Sequence, residues 1–306
     1  MATWFKRIAL FALVNIGVIL TLNVLMAVLG VQPYLTNRGL NLEALMAFCL
    51  IWGMGGAFIS LLMSRMMAKW FMGVQVIDSN PRDPELQWLV QTVHGLARSA
   101  GLPAMPEVGV YESSDLNAFA TGPRKSRSLV AVSTGLLERM SREEVEGVLG
   151  HEVAHIANGD MVTMTLIQGV VNAFVMALAR ILGFAIAQAI GGRRDDEGRS
   201  SGFSTMAYHL SVFVLEMVFM ILGTLVVAWF SRQREYRADA GGARLAGRGS
   251  MVRALQRLQA EFETLSAESQ PALATLKISS RGSGLMRFFS THPPLEERIA
   301  RLQQQI

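Results

Sequence analysis

Hydrophobic residues fall along this chain in long unbroken runs separated by shorter patterned segments. Ile8 to Leu29 carries no charge, and Leu40 to Met63 carries only Glu43, near its start. A hydrocarbon core about 30 Å thick is crossed by roughly 20 helical residues, so each run is long enough to span. The first is too long for a cleaved signal core and no small-residue cleavage site clearly follows it, so it reads as an uncleaved anchor. A third run, Met161 to Ile190, and a fourth, Ala207 to Phe230, flank the polar loop Gly191 to Thr205. Wholly helical, the third would be about 45 Å long, more than a bilayer needs. Its first turns are therefore expected to continue the preceding helix outside the lipid.

Between the runs the pattern changes. From Asp83 to Arg98 the positions Leu86, Leu89, Val90, Val93, Leu96 and Ala97 keep a 3.6-residue period, and Gly101 with Pro103 ends the helix. Pro106–Tyr111 and Ser128–Val132 read as short strands, with Asn117–Thr121 a third. Ser141 opens another helix, Glu144 completing a capping box and Val145, Val148, Leu149 and Val153 forming its stripe. Past Phe230 the chain turns polar, with helices expected at Gln233–Leu245, Met251–Leu265 and from Pro293 or Leu295 to Gln304. Ser266–Gly284 has the composition of a flexible loop.

Composition agrees with a membrane protein: of 306 residues 51% are hydrophobic and 17% charged. Lys6 and Arg7 precede the first run, Arg38 sits in the short connection, and Arg65 and Lys69 follow the second. The excess of Lys and Arg on cytoplasmic sides places the N-terminus and the segment after residue 68 in the cytoplasm. The single Cys49 lies inside a span and forms no intrachain disulfide. The net charge of +4 does not indicate nucleic acid, because the basic residues are scattered or sit beside spans.

Positions 151–155 read His-Glu-Val-Ala-His. On a helix, residues four apart share a face about 6 Å apart, so His151 and His155 can hold one zinc ion while Glu152 reaches a water and not the metal. A catalytic zinc site wants a third protein ligand and an open position. An extended motif with a third His at position 161 is excluded, since that residue is Met161. Glu235 and Asp239 share a helical face just after the fourth run, and a hairpin of the third and fourth runs returns Glu235 to His155. Glu235 is the expected third ligand and Asp239 the hydrogen-bond acceptor behind a ligating imidazole, with Asp160 a weaker candidate for that second role. His94 and His209 have no partner pattern and are read as structural. Arg180 and Glu216, charged residues at similar depth in the hairpin, are expected to pair or share a watery cleft.

Two N-terminal spans, Asn117-Ala118-Phe119-Ala120-Thr121-Gly122, the His151–His155 motif, a membrane hairpin, Glu235-Tyr236-Arg237-Ala238-Asp239 and Thr291-His292-Pro293-Pro294 occur in an order that resembles the bacterial HtpX heat-shock proteases, relatives of the CAAX-prenyl proteases. The resemblance covers nearly the whole chain. It implies a zinc endopeptidase of the bacterial inner membrane, multi-pass and facing the cytoplasm, that degrades damaged or misassembled membrane proteins as a stress response. By the same analogy Asn117, Ala118, Phe119 and Ala120 form an edge strand that pairs with an extended substrate. His292 and Arg298 then help to position or stabilise the oxyanion, catalysis depending on them more than metal binding does. Read from the residues alone, a His before Pro-Pro serves a loop or cap equally well, and His292 as a fourth zinc ligand in a resting state is the other alternative.

The expected fold is α+β and mainly helical: a zincin-like catalytic domain with a small sheet, plus about four transmembrane helices. Residues 1–67 hold two spans, 68–160 the first part of a cytoplasmic protease domain, 161–230 the membrane hairpin and 231–306 the second part with the third ligand. One Zn2+ per chain, a lipid bilayer and polypeptide substrates are the implied partners. The rival is a membrane scaffold or chaperone-like protein with a vestigial metal site, which has little reason to keep Glu152. A prenyl-processing enzyme fits worse, because four spans build no large intramembrane chamber.

Overall fold

The computed structural model describes residues 16–30, 34–36, 39–191, 202–268 and 290–304. An apolar helix α1 (Ile16–Val28) and a small antiparallel pair, β1 (Leu35–Thr36) and β2 (Gly39–Leu40), precede α2 (Leu42–Phe71). Then follow β3 (Gln75–Val76), α3 (Pro84–Ser99), β4 (Glu107–Tyr111), β5 (Ala118–Arg124), β6 (Arg127–Ser133), α4 (Thr134–Arg139) and α5 (Arg142–Asn158). Two long helices, α6 (Asp160–Gly191) and α7 (Gly202–Leu245), lead to α8 (Arg248–Glu268) and α9 (Leu295–Gln304). The fold is mainly helical with small sheets, as expected, and among the described residues three helices, α2, α6 and α7, are long and apolar enough to cross a membrane. The first apolar run is described only from Ile16, and most of the loops 191–205 and 266–284 lies outside the described residues.

Two expectations about helix boundaries are corrected. The third run does not continue the helix before it, because α5 stops at Gly159, which takes the left-handed conformation (φ +72°, ψ +30°) with its N–H on the His155 and Ile156 carbonyls. Glycine reaches that conformation without steric cost. The fourth run and the helix expected at Gln233–Leu245 are one helix of 44 residues, α7. Hydropathy falls after Phe230, but Arg232 to Ala238 holds no Gly or Pro and mostly good helix formers, so polarity does not end the helix.

The chain divides into two compact units, Met1–Ser60 with Thr165–Val227, and Leu61–Met164 with Ala228–Ile306. In the first, apolar helices approach closely at small residues: a Cβ on Gly53 would meet the Ala173 backbone, and one on Gly183 would meet Val212. Close approach at small side chains is how helices gain packing where no hydrophobic effect separates them from lipid. The expected pair is present: Arg180 Nη1 lies 2.5 Å from Glu216 Oε1 and 3.1 Å from the Met176 carbonyl. The guanidinium also lies over the rings of Tyr34 and Phe48.

In the second unit a four-stranded sheet runs β3-β4-β6-β5, β4 and β6 parallel and the other pairs antiparallel. Strands alternate their side chains between faces. Val108, Val130 and Val132, with Ala118 and Ala120, therefore pack with α3 and α5 residues such as Leu89, Val93, Leu149 and Val153. Tyr111, Leu129, Ala131 and Phe119 face the other way and pack with Ala68, near the end of α2. Arg65 and Lys69 of that helix end are ion-paired to Glu107 of β4. The Ser141–Glu144 capping box that opens α5 is formed reciprocally, which fixes the start of the helix carrying residues 151–155.

Reversing the charge at Arg180 (Arg180→Glu) or at Glu216 (Glu216→Arg) is expected to cost about 3 kcal/mol each, since either leaves two like charges in apolar surroundings. The double reversal should recover much of the loss in thermal unfolding of the detergent-solubilised protein. Full additivity of the two losses would contradict a working pair.

Candidate active site

Helix α5 presents His151 and His155 one turn apart, with Nε2 atoms 3.0 Å from each other. Glu235, 1% exposed, enters from α7 with one carboxylate oxygen 3.4 Å from each Nε2. Behind the imidazoles stand two further carboxylates. Asp239 Oδ1 lies 3.0 Å from His151 Nδ1, and Asp160 Oδ2 lies 2.6 Å from His155 Nδ1. Carboxylates at Nδ1 select the tautomer that carries its proton there, leaving a lone pair on Nε2. Asp160 comes from the first residue of α6, and the left-handed turn at Gly159 brings it back against His155. The role judged weaker from spacing is thus filled at the shorter of the two distances.

This constellation requires α5 and α7 to touch. Gly242 takes the place of a side chain between them: a Cβ there would lie 2.9 Å from the His151 backbone nitrogen and 3.1 Å from the Gly150 carbonyl carbon. Gly150 and Gly241 are similarly tight, against Ala246 and Ala154. Helices α5 and α7 therefore meet at near backbone distance, and the side chains at 151, 155, 235 and 239 converge because of it.

The electrostatics follow from burial with opposed partners. Burial pushes His155 down, but the carboxylates of Asp160 and Glu235 outweigh it and lift it to about 9. His151 is likewise raised by Asp239 and Glu235 against its own desolvation. Glu235 would be raised by burial, yet hydrogen bonds from the three imidazoles of His151, His155 and His292 hold it far below the carboxylate range. Asp239 is also lowered against burial, by Arg298 and His151. The site therefore calls for positive charge between two nitrogen lone pairs and a carboxylate. Two imidazoles and one carboxylate, all within 4.8 Å of one another, suit a borderline-soft divalent ion such as zinc.

Glu152 lies beside this group on the sheet side, accepting a hydrogen bond of 2.8 Å from the backbone N–H of Ala120. β5 is the edge strand of the sheet, and Phe119 and Thr121 alternate with Ala118 and Ala120 in its pairing with β6. The N–H and C=O of Ala118 and the C=O of Ala120 thus turn to the free edge, where Glu152 already takes the Ala120 N–H. Asn117 sits just before the strand, its backbone tied to Ser133. His292, with a side chain 63% exposed, places Nδ1 3.0 Å from Glu235 Oε2. Arg298 is buried and bidentate on Asp239, at 2.8 and 2.6 Å, with a further amine 3.8 Å from Glu235. His151, Glu152, His155, Glu235, Asp239, His292 and Arg298 all lie in the second unit, with the Ala118–Ala120 stretch of β5 beside Glu152, while Asn117 does not join β5.

Comparison with known proteins agrees with this geometry. The model of Peptidase family M48 matches residues 84–306. A "Protease HtpX homolog" of Verminephrobacter eiseniae is 52% identical over 301 residues, covering 97% of this chain and 98% of that protein. A second, from Paracidovorax citrulli, is 54% identical with the same two coverages, and "Protease HtpX" of Xanthomonas oryzae pv. oryzae is 51% identical, covering 98% and 97%. Among solved structures, the crystal structure of S. mikatae Ste24p superposes with a TM-score of 0.61 at 19% identity, matching 99% of this chain and 66% of that one, a likeness of fold. The chain belongs to peptidase family M48, among its HtpX-type members. It is a membrane metalloprotease.

Gly242→Ala is expected to force α5 and α7 apart by some tenths of an ångström, at an overpacking cost of about 1–3 kcal/mol. Metal affinity should fall about tenfold or more while far-ultraviolet circular dichroism is unchanged. Unaltered affinity in a competition titration would show that the close approach does not set the site.

Proposed function

We propose that the protein is a zinc endopeptidase, with His151, His155 and Glu235 as ligands to one Zn2+ and Glu152 as general base. The observation that carries the reading is the pair of Nε2 atoms 3.0 Å apart with Glu235 3.4 Å from both, beside a carboxylate on the adjoining residue. Bound zinc supplies Lewis acidity, polarising the scissile carbonyl and lowering the pKa of water. Glu152 takes a proton from water and passes it to the leaving amine, so no covalent intermediate forms and no Ser or Cys nucleophile is needed. Ala118, through its N–H and C=O, and Ala120, through its C=O, hold an extended substrate along β5, with Phe119 and Asn117 flanking them and the Ala120 N–H kept on Glu152. Asp160 and Asp239 fix the tautomer and orientation of the two imidazoles.

His292 and Arg298 take different parts. The exposed His292, at the open side of Glu235, is placed to donate to the oxyanion of the tetrahedral state, zinc offsetting only part of that charge. Arg298 is a positioning residue, acting through the Asp239 carboxylate and thereby His151. The protease domain comprises residues 68–160 and 231–306, the segments 1–67 and 161–230 being membrane anchors. By analogy with its relatives the substrates are damaged or misassembled membrane proteins, and the Lys and Arg distribution supports an inner-membrane location with the domain in the cytoplasm.

Glu152→Ala should lower peptide hydrolysis by about 100-fold to 10,000-fold with zinc still bound, because it removes the base and no ligand. Glu235→Ala should reduce zinc content as well as rate. Near-normal turnover in the first variant, or full zinc affinity in the second, rejects the corresponding assignment, and absence of chelator-sensitive cleavage in the wild type favours a scaffold with a vestigial site.

His292→Phe is expected to lower turnover about 100-fold at full zinc occupancy. Arg298→Leu should instead weaken zinc binding about 10- to 100-fold, with Arg298→Lys recovering only part of it because a Lys cannot make the bidentate contact. A zinc-replete His292 variant with unchanged turnover would return that residue to a loop role, and a raised basal rate would identify it as a resting-state ligand.

A further inference from the structure

The sheet face opposite α5 ends in a cavity of about 360 Å³ that the hydrolytic chemistry does not use. It is lined by Ser64, Met67, Ala68 and Phe71 of α2, by Met72 just past the helix end, and by the Phe119–Thr121 stretch of β5. The α2 positions are spaced 3, 1 and 3, which is one face of a helix, so the end of that helix turns Met67 and Phe71 toward the edge strand. It is an open cleft, and its volume falls at the low end of the range of clefts that take an organic group, about 300–1,000 Å³. Its polar side chains are the hydroxyls of Ser64 and Thr121, and the buried Ser64 oxygen has no partner among the described residues. Nothing charged lines it.

We infer that this cavity is the specificity-determining subsite of the peptidase, and that it takes one large unbranched or aromatic apolar side chain of an extended substrate. The inference rests on the peptidase reading above and adds to it the residue class that is selected. Continuity supports it. Ala120 both lines the cavity and gives its N–H to Glu152, so a chain laid along the free edge of β5 passes the cavity and the base within one or two residues. Side chains of such a chain alternate between the two faces of the sheet. Those on the α5 face meet the His and Glu residues, and those on the other face meet the Met67–Phe71 stripe. One position near the cut should therefore be apolar, while its immediate neighbours are chosen by other contacts. Met is suited to this duty, since its flexible polarisable chain adapts to Leu, Met or Phe alike. A protease so built prefers stretches rich in large apolar residues, which folded soluble proteins bury and unfolded or misassembled ones expose.

The test uses the full-length, zinc-loaded protein in detergent and quenched decapeptides varied one position at a time through Ala, Leu, Met, Phe and Glu. At one position Leu, Met and Phe should exceed Ala and Glu in kcat/KM by about tenfold or more, the discrimination an apolar pocket gives. Met67→Trp, which fills the cavity, should lower cleavage of the Phe peptide far more than that of the Ala peptide, so that the preference inverts at that position only. Met67→Ala, which disturbs the fold less, should extend the preference to Trp. Equal loss on every peptide, or no discriminating position, overturns the subsite. So does an unchanged preference in Met67→Trp accompanied by loss of a co-purifying lipid, which assigns the cavity to an acyl chain. If the wild type cleaves no peptide at all, the peptidase reading fails, and the subsite with it.

Discussion

Two imidazole nitrogens 3.0 Å apart, with a carboxylate 3.4 Å from each, are a contact that a shared positive charge stabilises, whether a proton or a metal ion. Most of the second unit can be understood as what brings that arrangement about. The capping box at Ser141 and Glu144 starts α5 in the right phase, the glycines at 150, 241 and 242 let α7 lie against it, and Asp160 and Asp239 set the two tautomers. The buried carboxylates Glu235, Asp239 and Asp160 each have a cationic or imidazole partner. Burying such charges costs several kcal/mol apiece unless they are paired. The network is therefore better regarded as a device for placing groups than as a source of stability.

Membrane and site are linked through single helices. The 44-residue α7 carries both a stretch of membrane-span hydropathy and, near its C-terminal end, Glu235 and Asp239. α6 begins with Asp160 and continues into an apolar run. α2, another helix of span length, ends in the stripe that lines the cavity beside β5. These residues that shape the site thus sit on helices that are also long and apolar enough to cross a membrane.

How much of this was legible in the sequence depends on how local each signal is. His151, Glu152 and His155 are legible because one helical turn contains the whole signal, and Glu235 with Asp239 because one face of the next polar helix does. Asp160 is weakly signalled because its place depends on a left-handed turn at Gly159, a backbone conformation that spacing alone does not convey. The same turn separates the third apolar run from α5. Strands β1, β2 and β3 have two residues each and show no period at all. The contact between Glu152 and Ala120, 32 residues apart, and the cavity between α2 and β5 depend on tertiary packing, which no local pattern encodes. Arg298 pairing with Asp239, 59 residues away, is of the same kind.

X-ray absorption at the zinc edge of the purified, zinc-loaded protein measures the central assignment most directly, because it counts ligands by element and by imidazole scattering. The account predicts a four-coordinate ion with two imidazoles and two oxygens, one of the oxygens from Glu235 and the other from solvent, at about 2.0–2.2 Å. A third imidazole would put His292 in the ligand set, and only one imidazole, or none, would contradict the site assembled by α5 and α7.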